Sequence, residues 1–62
     1  MEEYLPAEQI AEQLHASVWT VRRWIESGEL RAHRIGRLVR VARSDLDAFL
    51  AERRIPVAGR SA

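Results

Sequence analysis

Two helix-forming stretches stand so close together that only a tight turn fits between them. Residues 6–14 (PAEQIAEQL) place Ala7, Ile10, Ala11 and Leu14 at i, i+3, i+4 and i+7, one apolar stripe. Residues 18–27 (VWTVRRWIES) place Val18, Val21, Trp24 and Ile25 on one side at about 100° per residue. His15, Ala16 and Ser17 are all that separates them. The ends are marked chemically as well. Pro6 suits a first helical position, where a missing N–H costs nothing, and Glu8 suits the positive end of the first helix. Ser17 is a good N-cap for the second helix, and Gly28 stands where a left-handed C-cap is wanted. Val18, Thr20, Val21 and Ile25 lower the intrinsic propensity of that second helix, so packing must hold it.

This spacing predicts a helix-turn-helix, and the rest of the chain extends it. Tyr4 and Leu5 read as a strand fragment or as a staple onto the first helix. In residues 30–41 (LRAHRIGRLVRV) the period changes. Ile35, Val39 and Val41 are β-branched and Gly36 supplies a turn, which predicts a β-hairpin with a tight tip. Alternation places Val39 and Val41 on one face, Leu38 and Arg40 on the other. Arg34 and Arg40 are expected on the exposed side, with Arg37 at or beside the tip. Ser44-x-x-Asp47 has the form of a capping box opening a third helix at about 45–53, with Leu46, Phe49 and Leu50 as its stripe. Arg53 and Arg54 favour its negative end. Residues 55–62 (IPVAGRSA) lack a period and contain Pro56 and Gly59, which predicts a flexible tail after a domain of residues 1–54. The expected fold is a small α+β winged helix-turn-helix: helix-turn-helix, two-stranded hairpin wing, closing helix.

Composition narrows the function. Sixty-two residues allow one domain with a thin core, in which an enclosed pocket is hard to build. No nucleophile–base pair or phosphate-cradling glycine loop is visible, so no enzyme, cofactor or small-molecule ligand is expected. There is no cysteine, and His15 and His33 stand alone, so no metal site is expected. No apolar run approaches the roughly 20 residues of a membrane span, and no signal peptide opens the chain. A cytoplasmic location without a membrane partner is the expectation.

The net charge of +1 hides a separation. Residues 1–17 carry Glu2, Glu3, Glu8 and Glu12 and no arginine. Residues 18–43 carry Arg22, Arg23, Arg31, Arg34, Arg37, Arg40 and Arg43 against Glu26 and Glu29 alone. Such a block can make one face strongly positive. On the second helix Trp19 and Arg23 point nearly opposite the apolar stripe, with Thr20 and Arg22 on its flanks. An exposed tryptophan beside two arginines is poor design for a plain soluble surface. Trp24, by contrast, has the phase of a core residue. Arg31 and Arg43 read as solvated or paired with Glu29 and Asp45, and Arg22–Glu26 as a possible i,i+4 surface bridge.

The stretch Tyr4–Leu50 also resembles the excisionase-type DNA-binding domains, relatives of the MerR winged-helix domain. The matching segments are YLPAEQIAEQL, SVWTVRRWIESGEL (residues 17–30), RIGRLVRV (34–41) and RSDLDAFL (43–50), about three-quarters of the chain. It departs from that pattern at His15, where glycine is frequent, at Val18 and Trp19, where polar residues are usual, and at Ala42, where proline is common. The resemblance implies that helix 18–27 enters the DNA major groove and that wing 33–41 reaches an adjacent minor groove or the backbone.

The residue chemistry agrees with that docking. Arginine offers a planar fork to phosphate or to guanine O6/N7, which suits Arg22 and Arg23. Ser17 and Thr20, near the positive helix start, suit phosphates. Trp19 suits a thymine methyl, a sugar edge or a neighbouring protomer. Arg37 suits a narrow minor groove, with Arg34 and Arg40 on flanking phosphates. The reading is a double-stranded DNA binder acting as an excisionase, or recombination directionality factor. It would self-associate along DNA, bend it and work with an integrase. The alternatives are a small transcriptional regulator using the same domain and a protein-interaction module anchored by Trp19.

Overall fold

Ile10 and Val21, at the centres of the first two apolar stripes, are completely buried, so the helices close on each other as their phases require. The computed structural model describes residues 1–55. Along them run β1 (Tyr4–Leu5), α1 (Ala7–Leu14), α2 (Val18–Ser27), β2 (His33–Ile35), β3 (Leu38–Ala42) and α3 (Arg43–Glu52). Of the expected tail at 55–62, residues 56–62 lie outside the described residues, and Ile55 is exposed. No helix among the described residues is long and apolar enough to cross a membrane.

The turn between α1 and α2 is a left-handed cap. His15 has φ 55° and ψ 39°, a region where histidine is one of the more tolerated non-glycine residues. The Ala16 N–H donates to the Ala11 carbonyl at 2.9 Å and the His15 N–H to Glu12 at 3.3 Å, the Schellman pairing that satisfies the last carbonyls of a helix. Ser17 then caps α2, its hydroxyl accepting from the Thr20 amide at 3.1 Å. Gly28 ends α2 at φ 85°. Pro6 stands one position earlier than expected: with extended angles, it is the N-cap of α1 and not its first helical residue.

Tyr4–Leu5 is a strand. It pairs antiparallel with β3, Tyr4 opposite Ala42 and Leu5 opposite Val41, giving a three-stranded sheet in the order β1-β3-β2. The cause is burial: Leu5 and Val41 are both within the core, and directly opposed residues share a face. β1 pairs with the inner end of β3 (Val41 and Ala42) and β2 with its outer part (Leu38–Arg40), so the projecting wing is made of β2 and β3 alone.

The start of α3 corrects the capping-box expectation. The helix opens at Arg43 with Ala42 as an N-cap that offers no side-chain bond. Ser44 is already inside the first turn. Its amide donates to Glu2 Oε2 at 3.1 Å and its hydroxyl to Glu2 Oε1 at 2.8 Å. The Arg43 amide donates to the Glu3 carbonyl at 2.7 Å. The Glu2 carboxylate and the Glu3 carbonyl, both from the start of the chain, thus each satisfy one free amide at the start of the helix, a task a local cap would have served. Leu46 and Phe49 are buried as expected, with the Phe49 ring 4.9 Å from that of Trp24. Leu50 is not part of the buried stripe and stands at the surface.

Candidate nucleic-acid interface

α2 presents its outer face because Val21 fixes its inner one. Trp19 is 64% exposed. Arg23, one turn on, lays its guanidinium over the Trp19 ring, Cζ 4.9 Å from the centroid. That is within cation–π range. Ser17 Oγ and Thr20 Oγ1 lie 2.8 Å apart at the head of the same helix. Ser17, Trp19, Thr20 and Arg23 therefore form one group, with Arg23, Trp19 and Thr20 lining a shallow depression along α2.

Arg22 leaves the helix on the other flank. Its Nη2 donates to Glu8 Oε2 on α1 at 2.7 Å, so the expected bridge to Glu26 is replaced by one to Glu8. Beyond it stands the wing. Ile35 pairs with Leu38 across a loop of Gly36 and Arg37, with Gly36 at φ 63°. A positive φ at the first loop position alone is the type II′ arrangement, whose twist matches that of the strands. Arg37 is thereby held at the tip.

The register separates two arginines that alternation alone had grouped. Arg34 opposes Val39 and His33 opposes Arg40. Arg34 thus shares the face of Val39 and Val41, while Arg40 shares that of Leu38. The expectation that both sit on one exposed side is corrected. Arg40 is half-buried and donates from Nη1 to the Val39 carbonyl at 2.9 Å. Even so, Arg22, Arg34, Arg37 and Arg40 all line a single open groove between α2 and the wing, of about 440 Å³. Ile25, Leu38 and Val39 give it an apolar wall.

Glu8 and Glu26 line the same groove. From local sequence Glu8 is only a favourable residue at a helix start, because its partner lies 14 positions away. Its carboxyl is held below the ordinary range, first by a bond from its own backbone amide, then by the charge and hydrogen bond of Arg22, with a further contribution from Arg40. The other expected ion pairs also re-sort. Asp45 bonds His33 Nε2 at 3.3 Å instead of Arg43. Arg43 turns to Glu3 at 3.4 Å, and Glu29 takes Arg53 at 2.7 Å instead of Arg31. The Tyr4 ring meets His33 edge-on at 5.7 Å, so β1 and α3 together brace the base of the wing.

A family model described as a helix-turn-helix domain matches residues 4–54. The chain belongs to the helix-turn-helix domain family. This is a DNA-binding domain found in excisionase-like proteins, and double-stranded DNA is the partner it implies. No curated protein and no solved structure matches the chain. In this helix-turn-helix domain α1 and α2 are the helix pair and His15 occupies the turn between them. The match extends over the wing and α3, which carry three of the four groove arginines and the brace that positions them.

Proposed function

We propose that this helix-turn-helix domain binds duplex DNA with α2 in the major groove and the wing in the adjacent minor groove, acting as an excisionase. The observation that carries the reading is the convergence of Arg22, Arg34, Arg37 and Arg40 on the groove between α2 and the wing. A phosphate strand passing between the two elements would meet guanidinium groups from both, and each neutralised phosphate releases counterions. Arg23, held against Trp19 on the outer face, is the reader of base edges, guanine O6/N7 being the acceptor pair that matches its fork. Ser17 and Thr20 contact backbone at the positive end of α2. Arg37 at the tip enters the minor groove.

α2 is only ten residues long. One short recognition helix binds weakly alone, so several copies act together on repeated sites, and simultaneous engagement supplies the affinity. Cooperative loading of this kind bends the DNA and presents it to an integrase. The resemblance of Tyr4–Leu50 to excisionase-type domains supports this role.

Selection of bound fragments from a random duplex pool, followed by gel-shift titration on single and tandem sites, tests the proposal. Repeated sites, cooperative loading and bent DNA are expected. Non-cooperative binding to one straight site would refute the excision role and assign the domain to transcriptional regulation. Association that does not weaken with salt would remove the phosphate contacts altogether and leave Trp19 as a protein anchor.

A further inference from the structure

Two carboxylates line the basic groove, Glu8 and Glu26, and DNA binding calls for neither; Glu8 is the one that holds a groove arginine. It belongs to the first turn of α1, outside both elements assigned to DNA. Yet its Oε2 lies 2.7 Å from Arg22 Nη2, and its charge also acts on Arg40 of the wing. Both side chains of the close pair are well exposed, 59% for Arg22 and 65% for Glu8. An exposed ion pair contributes little to folding, so stability is a weak reason for its place. Its chemistry is a better one. A carboxylate and a phosphodiester both present two anionic oxygens to a guanidinium, at similar distances. Glu8 therefore occupies in the free protein the position on Arg22 that a DNA phosphate oxygen would take.

We propose that Glu8 is an internal phosphate surrogate, which competes with the DNA backbone for Arg22 and so weakens sequence-independent binding. The inference rests on the DNA-binding reading above. Binding by Arg22 then becomes an exchange. The phosphate releases its counterion as Arg22 arrives, but the Arg22–Glu8 pair must break first, and salt screens that exposed pair too. Competition is therefore strongest at low salt and fades as salt rises, which makes the salt dependence shallower than a free arginine would give. Non-specific complexes consist of such backbone contacts, whereas specific ones add base contacts from Arg23. Keeping the backbone contribution low confines occupancy to sites where the base contacts are also made.

The test compares the wild-type chain, Glu8→Gln, Arg22→Gln and the double variant on a duplex of unrelated sequence, by fluorescence anisotropy across a range of salt. Glu8→Gln should bind about two- to fivefold tighter at low salt, the scale of an exposed ion pair. Its plot of log affinity against log salt should be steeper than that of the wild type, by less than the roughly 0.9 of a whole phosphate contact. In the Arg22→Gln background the same change should not steepen the slope. If both proteins bind and Glu8→Gln has the wild-type slope, Glu8 is not a competitor. Weaker binding with a lowered melting temperature would mark it as structural and overturn the proposal equally. Absence of any duplex binding by the wild-type chain would instead sink the DNA-binding reading, and this inference with it.

Discussion

The stack of Arg23 on Trp19 makes the proposed base-reading role of α2 measurable. The guanidinium carbon is 4.9 Å from the ring centroid, and Trp19 is 64% exposed in the free chain. At an exposed site such a contact contributes about 0.5–1 kcal/mol, rising to about 2 kcal/mol when solvent is removed. Docking α2 into a major groove removes that solvent. Arg23→Ala should cost about 1–3 kcal/mol on the preferred site and relax the preference at one guanine. Trp19→Ala should cost less in direct contact, but it also frees the Arg23 side chain to sample other rotamers before binding. If the ring holds the fork in place, the two losses overlap. The double variant should then lose less than the sum of the singles by about 0.5–2 kcal/mol, the range of coupled neighbours. The assay is anisotropy at one fixed salt concentration, with four proteins on the selected duplex and on one with the guanine replaced. Additivity within about 0.5 kcal/mol would show that the residues act independently. So would a Trp19→Ala protein that keeps full guanine preference, and either result refutes positioning by the stack.

Other consequences concern the frame that presents these residues. The Glu2 carboxyl is held below its ordinary 4.5 by bonds from the Ser44 amide and then the Ser44 hydroxyl; a depressed native value means stability that is present above 4.5 and lost as pH falls through the native value. Glu2→Gln should therefore be less stable than wild type at neutral pH, with the two denaturation midpoints converging as the solution is acidified below 4.5; parallel midpoints throughout would refute the cap. His15→Gly exchanges left-handed strain for chain entropy and should raise the melting temperature by about 3–6 °C, a net gain of somewhat under 1 kcal/mol. Ser17→Ala removes the bond to the Thr20 amide and should cost about 1 kcal/mol in chemical denaturation. Phe49→Ala empties the contact with Trp24 at a cost of about 3–5 kcal/mol, comparable to what so small a core supplies, and circular dichroism should show a largely unfolded chain.

What could be read from the sequence, and what could not, divides along chain separation. α1 and α2 follow from signals within one or two turns: the apolar phase that buries Ile10 and Val21, the hydroxyl of Ser17, the missing side chain of Gly28. Interactions between nearest neighbours decide these, and nearest neighbours are adjacent in the text. The cap of α3 is the opposite case. Ser44 had the right chemistry for an N-cap, but β3 runs directly into the helix and carries Ser44 past that position. Glu2, 42 residues upstream, supplies the acceptor. β1 makes this possible, since pairing Tyr4 with Ala42 lays the start of the chain along the start of α3. Predicting the carboxylate therefore required predicting the strand. The wing failed at a smaller distance. Alternation fixes which residues of β3 share a face, but the face of Arg34 depends on the loop length, and a two-residue loop sets it opposite Val39.

The same division runs through the site. Its cations could be named from the sequence, because a basic helix and a basic hairpin each declare themselves locally. Their carboxylate partner could not, since Glu8 joins the groove only when α1 packs beside α2. A charge census by segment places Glu8 in the acidic start of the chain and Arg22 in the basic middle. It treats the two as separate features, and the fold makes them one. The separation that marked residues 18–43 as a DNA-facing block therefore overstates how free its arginines are. On the proposed competition, an arginine that must first leave a carboxylate binds phosphate by exchange, with a shallower salt dependence. For this helix-turn-helix domain the salt slope, more than the affinity at any single salt concentration, reports how its interface is built.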